Sequence, residues 1–128
     1  MTHDEIADLY RGYIACLNSQ DWVNLHRYVA DDVQHNGKCI GLSGYKSMLV
    51  EDFKAIPDLS FNITRLVCEP PMIASGLTFD CTPIGNLFGL PVNGTRVQFE
   101  ENVFYEFKNG KIQDVWSIID KAAIAAQI

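Results

Sequence analysis

The sequence predicts an α+β domain, with helices in the first half and a curved antiparallel sheet around a pocket in the second. Three observations carry that prediction. Apolar residues recur at helical spacing as far as Ile56, and from Leu59 the period drops to two. Asn109-Gly110 then separates two alternating runs, and this dipeptide suits both positive φ values of a type I′ hairpin turn. At 128 residues, 48% hydrophobic and 20% charged, the chain reads as one domain, residues 1–128, able to bury a core without disulfides or a structural metal.

The first helix starts at a capping box made by Thr2 and Glu5 and runs to about Asn18, with Ile6, Leu9, Tyr10, Tyr13, Ile14 and Leu17 at helical spacing. Trp22, Leu25 and Val29 share one face of a short second helix that Asp31-Asp32 ends, with His26 beside the stripe. A third helix starts near Ser43-Gly44, carries Tyr45, Met48, Leu49 and Phe53 on one side, and stops at Ile56, because the residue before Pro57 disfavours α geometry. Leu59, Phe61 and Ile63 then alternate with polar residues in a half-buried strand closed by Pro70-Pro71. A second strand spans Met72 to Thr82. The loop from Pro83 to Gly94, with three glycines and two prolines, is expected to lack regular structure and is long enough to cover a pocket mouth. Val97 to Lys108 and Lys111 to Asp120 form the hairpin, and Lys121 to Gln127 a closing helix.

A two-residue turn at Asn109-Gly110 pairs Lys108 with Lys111, and an unbroken ladder then assigns the faces. Phe107 falls opposite Ile112, Tyr105 opposite Asp114, Val103 opposite Trp116, Glu101 opposite Ile118 and Phe99 opposite Asp120. That face is mostly apolar and should point inward. The opposite face, with Phe104, Val115 and Ile119 among polar residues, suits another subunit or solvent. Glu101 and Asp120 break the inward apolar pattern. A carboxyl among Phe99, Val103, Trp116 and Ile118 is costly to ionise, and a second carboxyl nearby strengthens the effect, which is what a general acid or base needs. The competing structural roles are a helix cap for Asp120 and a pairing of Glu101 with Arg65 or Arg96.

Charge and cysteine usage narrow the function. Ten basic against sixteen acidic residues give a net charge of −6, which opposes nucleic acid and anionic membranes as partners. Cys16, Cys39, Cys68 and Cys81 form no C-x-x-C pair and lie beside no histidine cluster, so no metal site is expected and reduced thiols are. The acidic start, Met1-Thr2-His3-Asp4-Glu5, does not resemble a signal peptide, and no apolar run reaches membrane length, so a cytoplasmic location is expected.

Gly85-Asn86-Leu87-Phe88-Gly89-Leu90-Pro91, Asn93-Gly94, Asn109-Gly110-Lys111-Ile112 and Trp116-Ser117-Ile118-Ile119-Asp120 keep a spacing that resembles the SnoaL-like polyketide cyclases of the nuclear-transport-factor-like superfamily. Asp31-Asp32-Val33, ahead of an inward His35, resembles that family's first strand. The resemblance implies a cystatin-like α+β cone: helices on the concave face of a curved mixed or antiparallel sheet, paired as a homodimer through the outer sheet face. It also implies an intramolecular aldol ring closure without cofactor or metal, with Asp120 of W-x-x-x-D as acid/base. Many members carry G-T-H-x-G where this chain has Cys81-Thr82-Pro83-Ile84-Gly85, so proline stands at the family histidine, and the arginine often found shortly before is absent.

The candidate catalytic residues are therefore Asp120, His35 and Glu101, with His35 as the replacement donor. Trp116, Phe99, Phe88, Tyr13, Tyr45, Val103 and Ile118 are the candidate binding residues, and Tyr105 is a further possible donor. The expected ligand is a small, largely apolar molecule bearing carbonyl or hydroxyl groups. A non-catalytic binding protein of the same fold is the alternative. An epoxide hydrolase would need an Asp-Arg-Asp set around a water, for which the sequence offers no evidence.

Overall fold

A computed structural model describes residues 1–128. Helix α1 (His3–Asn18) begins at Thr2, whose hydroxyl accepts from the Glu5 amide at 3.1 Å, and buries Ile6, Tyr10, Tyr13, Ile14 and Leu17. A 3₁₀ turn (Trp22–Arg27) leads into β1 (Val29–His35) and the short β2 (Lys38–Cys39). Then follow α2 (Gly41–Ala55), β3 (Asn62–Glu69) and β4 (Met72–Cys81). The chain ends with β5 (Asn86–Leu87), β6 (Leu90–Pro91), β7 (Val97–Lys108), β8 (Lys111–Ile119) and α3 (Lys121–Ala125).

Six strands form one curved sheet in the order β2-β1-β8-β7-β4-β3. Only β1 and β8 run parallel, so the sheet is mixed. Ile73, Leu77 and Phe79 of β4 and Phe99, Val103, Tyr105 and Phe107 of β7 alternate inward and join α1 and α2 in one core. Phe79 stacks on Phe99 with ring centres 5.0 Å apart.

The Asn109-Gly110 turn has both positive φ values, 53° and 75°, and Lys108 pairs with Lys111. The ladder is then interrupted. Phe107 pairs with Ile112, but Glu106 pairs with Asp114, leaving Gln113 as a bulge. The Gln113 amide reaches across to the backbone oxygen and carboxylate of Asp32 at 3.2 and 3.1 Å. One extra residue turns the rest of β8 over. Tyr105 faces Val115, Val103 faces Ser117 and Glu101 faces Ile119, whereas Trp116 and Ile118 go outward, 49% and 76% exposed. The uninterrupted register is thus corrected beyond Ile112, and Val115 belongs to the core rather than to the outer surface.

Three further boundaries differ from the sequence reading. The second helix is the 3₁₀ turn, and Val29 already pairs with Ile112 in the sheet, so Asp31-Asp32 lies within a strand. Sheet pairing of β3 starts at Asn62 rather than Leu59, because the Asn18 amide takes both the N–H and the carbonyl of Phe61, at 2.7 and 3.0 Å. The segment Pro83 to Gly94 is not wholly irregular. β5 and β6 make a small hairpin turned by Phe88 and Gly89, with φ 52° and 78°.

Candidate functional site

A cavity of about 520 Å³ lies between the concave face of the sheet and the helices α1 and α2. Its walls are mostly apolar, with Leu49, Leu77, Phe79 and Val115 among them. Polar groups enter at few points, and each is placed by a definite element.

Glu101 comes from β7, at an inward position between Phe99 and Val103. Its carboxylate accepts a short hydrogen bond from the Ser117 hydroxyl, and Ser117 sits diagonally across on β8. Ser117 is held in turn. The side-chain oxygen of Asn36 accepts from the Ser117 amide at 2.8 Å, and the Asn36 amide group donates back to the Ser117 carbonyl at 3.4 Å. Asn36 takes a φ of 48° at the Asn36-Gly37 turn between β1 and β2, which aims its side chain along β8. Burial raises the Glu101 pKa, and the Ser117 hydrogen bond opposes only part of that rise. Neither arginine suggested as its partner reaches it in an ion pair: Arg96 grips Asp80 at 2.8 and 2.7 Å, and Arg65 forms no ion pair.

His35, at the end of β1, lines the cavity beside Tyr45, ring edge to face at 6.3 Å between centres. Burial lowers its pKa, so the imidazole is neutral at pH 7. Tyr13 and Tyr45 bond one another through their hydroxyls at 2.6 Å. Deeper in the core, Tyr10 donates to Ser75 at 2.8 Å and approaches the Tyr105 hydroxyl at 3.5 Å. Burial holds all four phenols protonated, Tyr10 being pushed up to about 12. At the mouth, Phe88 of the β5–β6 turn lies under the ammonium of Lys121, 5.5 Å from the ring centre.

Of the residues named from sequence, Glu101, His35, Phe99, Phe88, Tyr13, Tyr45 and Val103 line this cavity, and Ile118 touches its rim. Trp116 and Asp120 do not. The bulge at Gln113 sends Trp116 to the outer face. Asp120 lies beyond the last residue of β8, where its carboxylate accepts from the Ala123 amide at 3.0 Å and caps α3. It is exposed, and Glu101 and Asp120 share no cavity.

Sequence reading missed Asp52. It stands in the last turn of α2, one position from the predicted apolar stripe, and lines the cavity opposite the sheet. Burial, then the nearby Glu101 and Glu51, push its pKa up to about 7. The helical spacing Met48, Leu49, Asp52, Ile56 was the available signal, since a carboxylate at i, i+3, i+4 spacing among apolar residues falls on the buried face. Ser117 escaped notice because the unbulged register put it outside.

The sequence pattern of SnoaL-like polyketide cyclases matches residues 7–128. A SnoaL-like polyketide cyclase from Agrobacterium tumefaciens is 49% identical, over 99% of this chain and 98% of that one, with a TM-score of 0.95. TsrD from Streptomyces laurentii is 19% identical over 99% and 96%, with a TM-score of 0.87. IdmH from Streptomyces antibioticus is also 19% identical, over 95% and 96%, with a TM-score of 0.81, and these two share the fold. No curated protein matches the chain. No helix is long and apolar enough to cross a membrane.

Proposed function

The chain belongs to the SnoaL-like polyketide cyclase family, and we propose that it is a cofactor-free cyclase or isomerase acting by acid/base catalysis on a small, largely apolar carbonyl compound. One observation carries the reading. Glu101 is a carboxyl with a raised pKa in an apolar cavity, bonded by Ser117 and paired with no cation. Ser117 and Asn36 fix its direction, and a raised pKa brings a carboxylate closer to the basicity needed to remove a proton next to a carbonyl. The resulting enolate attacks a second carbonyl of the same folded molecule, and the cavity walls hold the two ends together. His35, neutral beside Tyr45, stands as a hydrogen-bond donor to the second carbonyl.

This assignment moves the base from Asp120 to Glu101, because Asp120 is engaged as a helix cap. The same cap, with Pro83 at the family histidine position, favours the second reading, a small-molecule-binding protein without chemistry. The four unpaired cysteines suit a reducing cytoplasm. The outer sheet face supports a homodimer, with Phe104 kept from the residues first chosen and Val115, now in the core, left out. Val67, Phe104 and Trp116 are 65%, 57% and 49% exposed, and they line up across β3, β4, β7 and β8 through Ala74.

The test needs no natural substrate. 2-Tetralone is a bicyclic ketone that enolises, and deuterium uptake at its α-carbon in D₂O reports a base positioned at a bound carbonyl. Wild type is expected to accelerate uptake, Glu101→Gln to lose about a hundredfold or more of that acceleration, and Asp120→Asn to keep it. Tetralone bound in the cavity with no faster exchange would establish the binding protein instead.

A further inference from the structure

The wall facing Glu101 carries the second carboxyl. Asp52 lines the cavity from α2, and its carboxyl accepts no hydrogen bond from the protein and pairs with no cation, yet neither carboxyl oxygen is both sealed and unpartnered. Its carboxyl is therefore open to whatever fills the cavity. Its immediate neighbours along the helix disfavour a negative charge. Met48, Leu49 and Ile56 flank it at helical spacing, Glu51 adjoins it, and the negative end of the α2 dipole disfavours an anion in the last turn. The other titratable groups around the cavity are Glu101 and Tyr105 from β7, His35 from β1, Tyr13 from α1, Tyr45 from α2 and Lys121 at the mouth. Only Lys121 brings a formal positive charge, and it is engaged with the Phe88 ring.

We propose that Asp52 is the acid of the site, donating its O–H to the substrate carbonyl oxygen that becomes the enolate oxygen, while Glu101 takes the α-proton across the same cavity. This rests on the acid/base reading of Glu101. The electron accounting closes within the two carboxyls and the substrate. The C–H bond breaks, its pair becomes the carbon–carbon double bond, and the carbonyl π pair moves to oxygen, which takes the Asp52 proton as Glu101 receives the α-proton. On ring closure, the enol double bond supplies the pair for the new C–C bond. The first carbonyl re-forms and returns its proton to Asp52, and the second carbonyl oxygen takes the proton held by Glu101. No oxidant, metal or water is consumed. A carboxylic acid kept neutral near pH 7 by an apolar site is suited to this donation, and Asp52, pushed up to about 7, holds its proton where an ordinary aspartate has lost it.

2-Naphthol is an aromatic mimic of the enol of 2-tetralone, and its binding reads the donor without requiring turnover. Wild type and Asp52→Asn, which keeps an N–H donor at the same place, are expected to bind it within about twofold of each other. Asp52→Leu, which should fold because the site is apolar, is expected to bind about tenfold more weakly, the value of one hydrogen bond to the oxygen. Asp120→Asn, outside the cavity, should bind as wild type does, while Glu101→Gln should fail in deuterium exchange. Equal binding by wild type and Asp52→Leu, with exchange still dependent on Glu101, would overturn the role of Asp52 and leave the function intact. Absence of both naphthol binding and exchange in wild type would overturn the two together.

Discussion

On β7, Phe99, Val103 and Tyr105 are buried while Phe104, between the last two, is 57% exposed, so the concave and convex faces of the sheet come from alternate residues of the same strand. What separates the faces is what the chain lays against them. α1 and α2 cover the concave side and leave a cavity where the only ionisable carboxyls are Glu101 and Asp52. Nothing in the chain covers the row Val67, Phe104 and Trp116 on the convex side. The comparison teaches that a one-residue change of phase, at Gln113, decides which chemistry each face receives. Before the bulge, β7 and β8 agree with simple alternation; after it, a tryptophan and a serine exchange sides.

Removing the bulge should break this division most strongly. Deletion of Gln113 would restore the uninterrupted ladder, sending Trp116 and Ile118 inward and Val115 and Ser117 outward. A loss of more than about 3 kcal/mol is expected, comparable to emptying or overfilling a core site, and urea denaturation followed by circular dichroism measures it. A midpoint equal to that of wild type would mean that β8 finds its faces by other means.

A smaller effect sharpens the account of the concave face. A carboxyl whose pKa is higher folded than unfolded binds more protons in the folded state, so its contribution to stability is full below the unfolded value. That contribution is lost as pH rises toward the folded value. For Asp52 the window runs from the ordinary aspartate value of 3.8 to about 7. Asp52→Asn should therefore gain on wild type between pH 4 and pH 8, by about 2 kcal/mol after allowance for water entering the cavity. Paired chemical denaturations at the two pH values give the difference. A gap that stays constant, or narrows on the alkaline side, would show that Asp52 ionises as freely folded as unfolded.

The convex face should give the smallest change in folding. Trp116→Lys is expected to alter stability by about 0.5 kcal/mol or less, to leave 2-naphthol binding unchanged and to convert a dimer to a monomer in sedimentation at micromolar concentration. A wild-type protein that already sediments as a monomer would remove the case for pairing through this face.

Much of the fold was legible because it depends on local chemistry. The T-x-x-E start of α1, the Pro57 limit on α2 and the Asn109-Gly110 turn each act over a few residues, and β7 kept its predicted inward face throughout. The site was legible only in part. Glu101 was found because it interrupts an apolar alternation, and His35 because it follows Val33 at a spacing of two. Asp120 and Trp116 were misplaced by the same counting, since a bulge leaves no mark in an alternating pattern until the neighbouring strand is known. Gln113 takes its place through Asp32, some eighty residues earlier in the chain, and β1 runs parallel to β8 with an irregularity of its own.

By itself, then, the sequence determined α1, α2, the long strands β4, β7 and β8, the hairpin turn and the presence of an inward carboxyl on β7, because helix caps, proline limits and positive-φ turns are set by neighbours along the chain. Only the tertiary structure decided that Ser117 meets Glu101, that Asp52 faces both across a cavity and that Asp120 caps a helix instead. Those pairings join residues from different strands and helices, and their geometry depends on the register of β8 and the angle at which α2 covers the sheet.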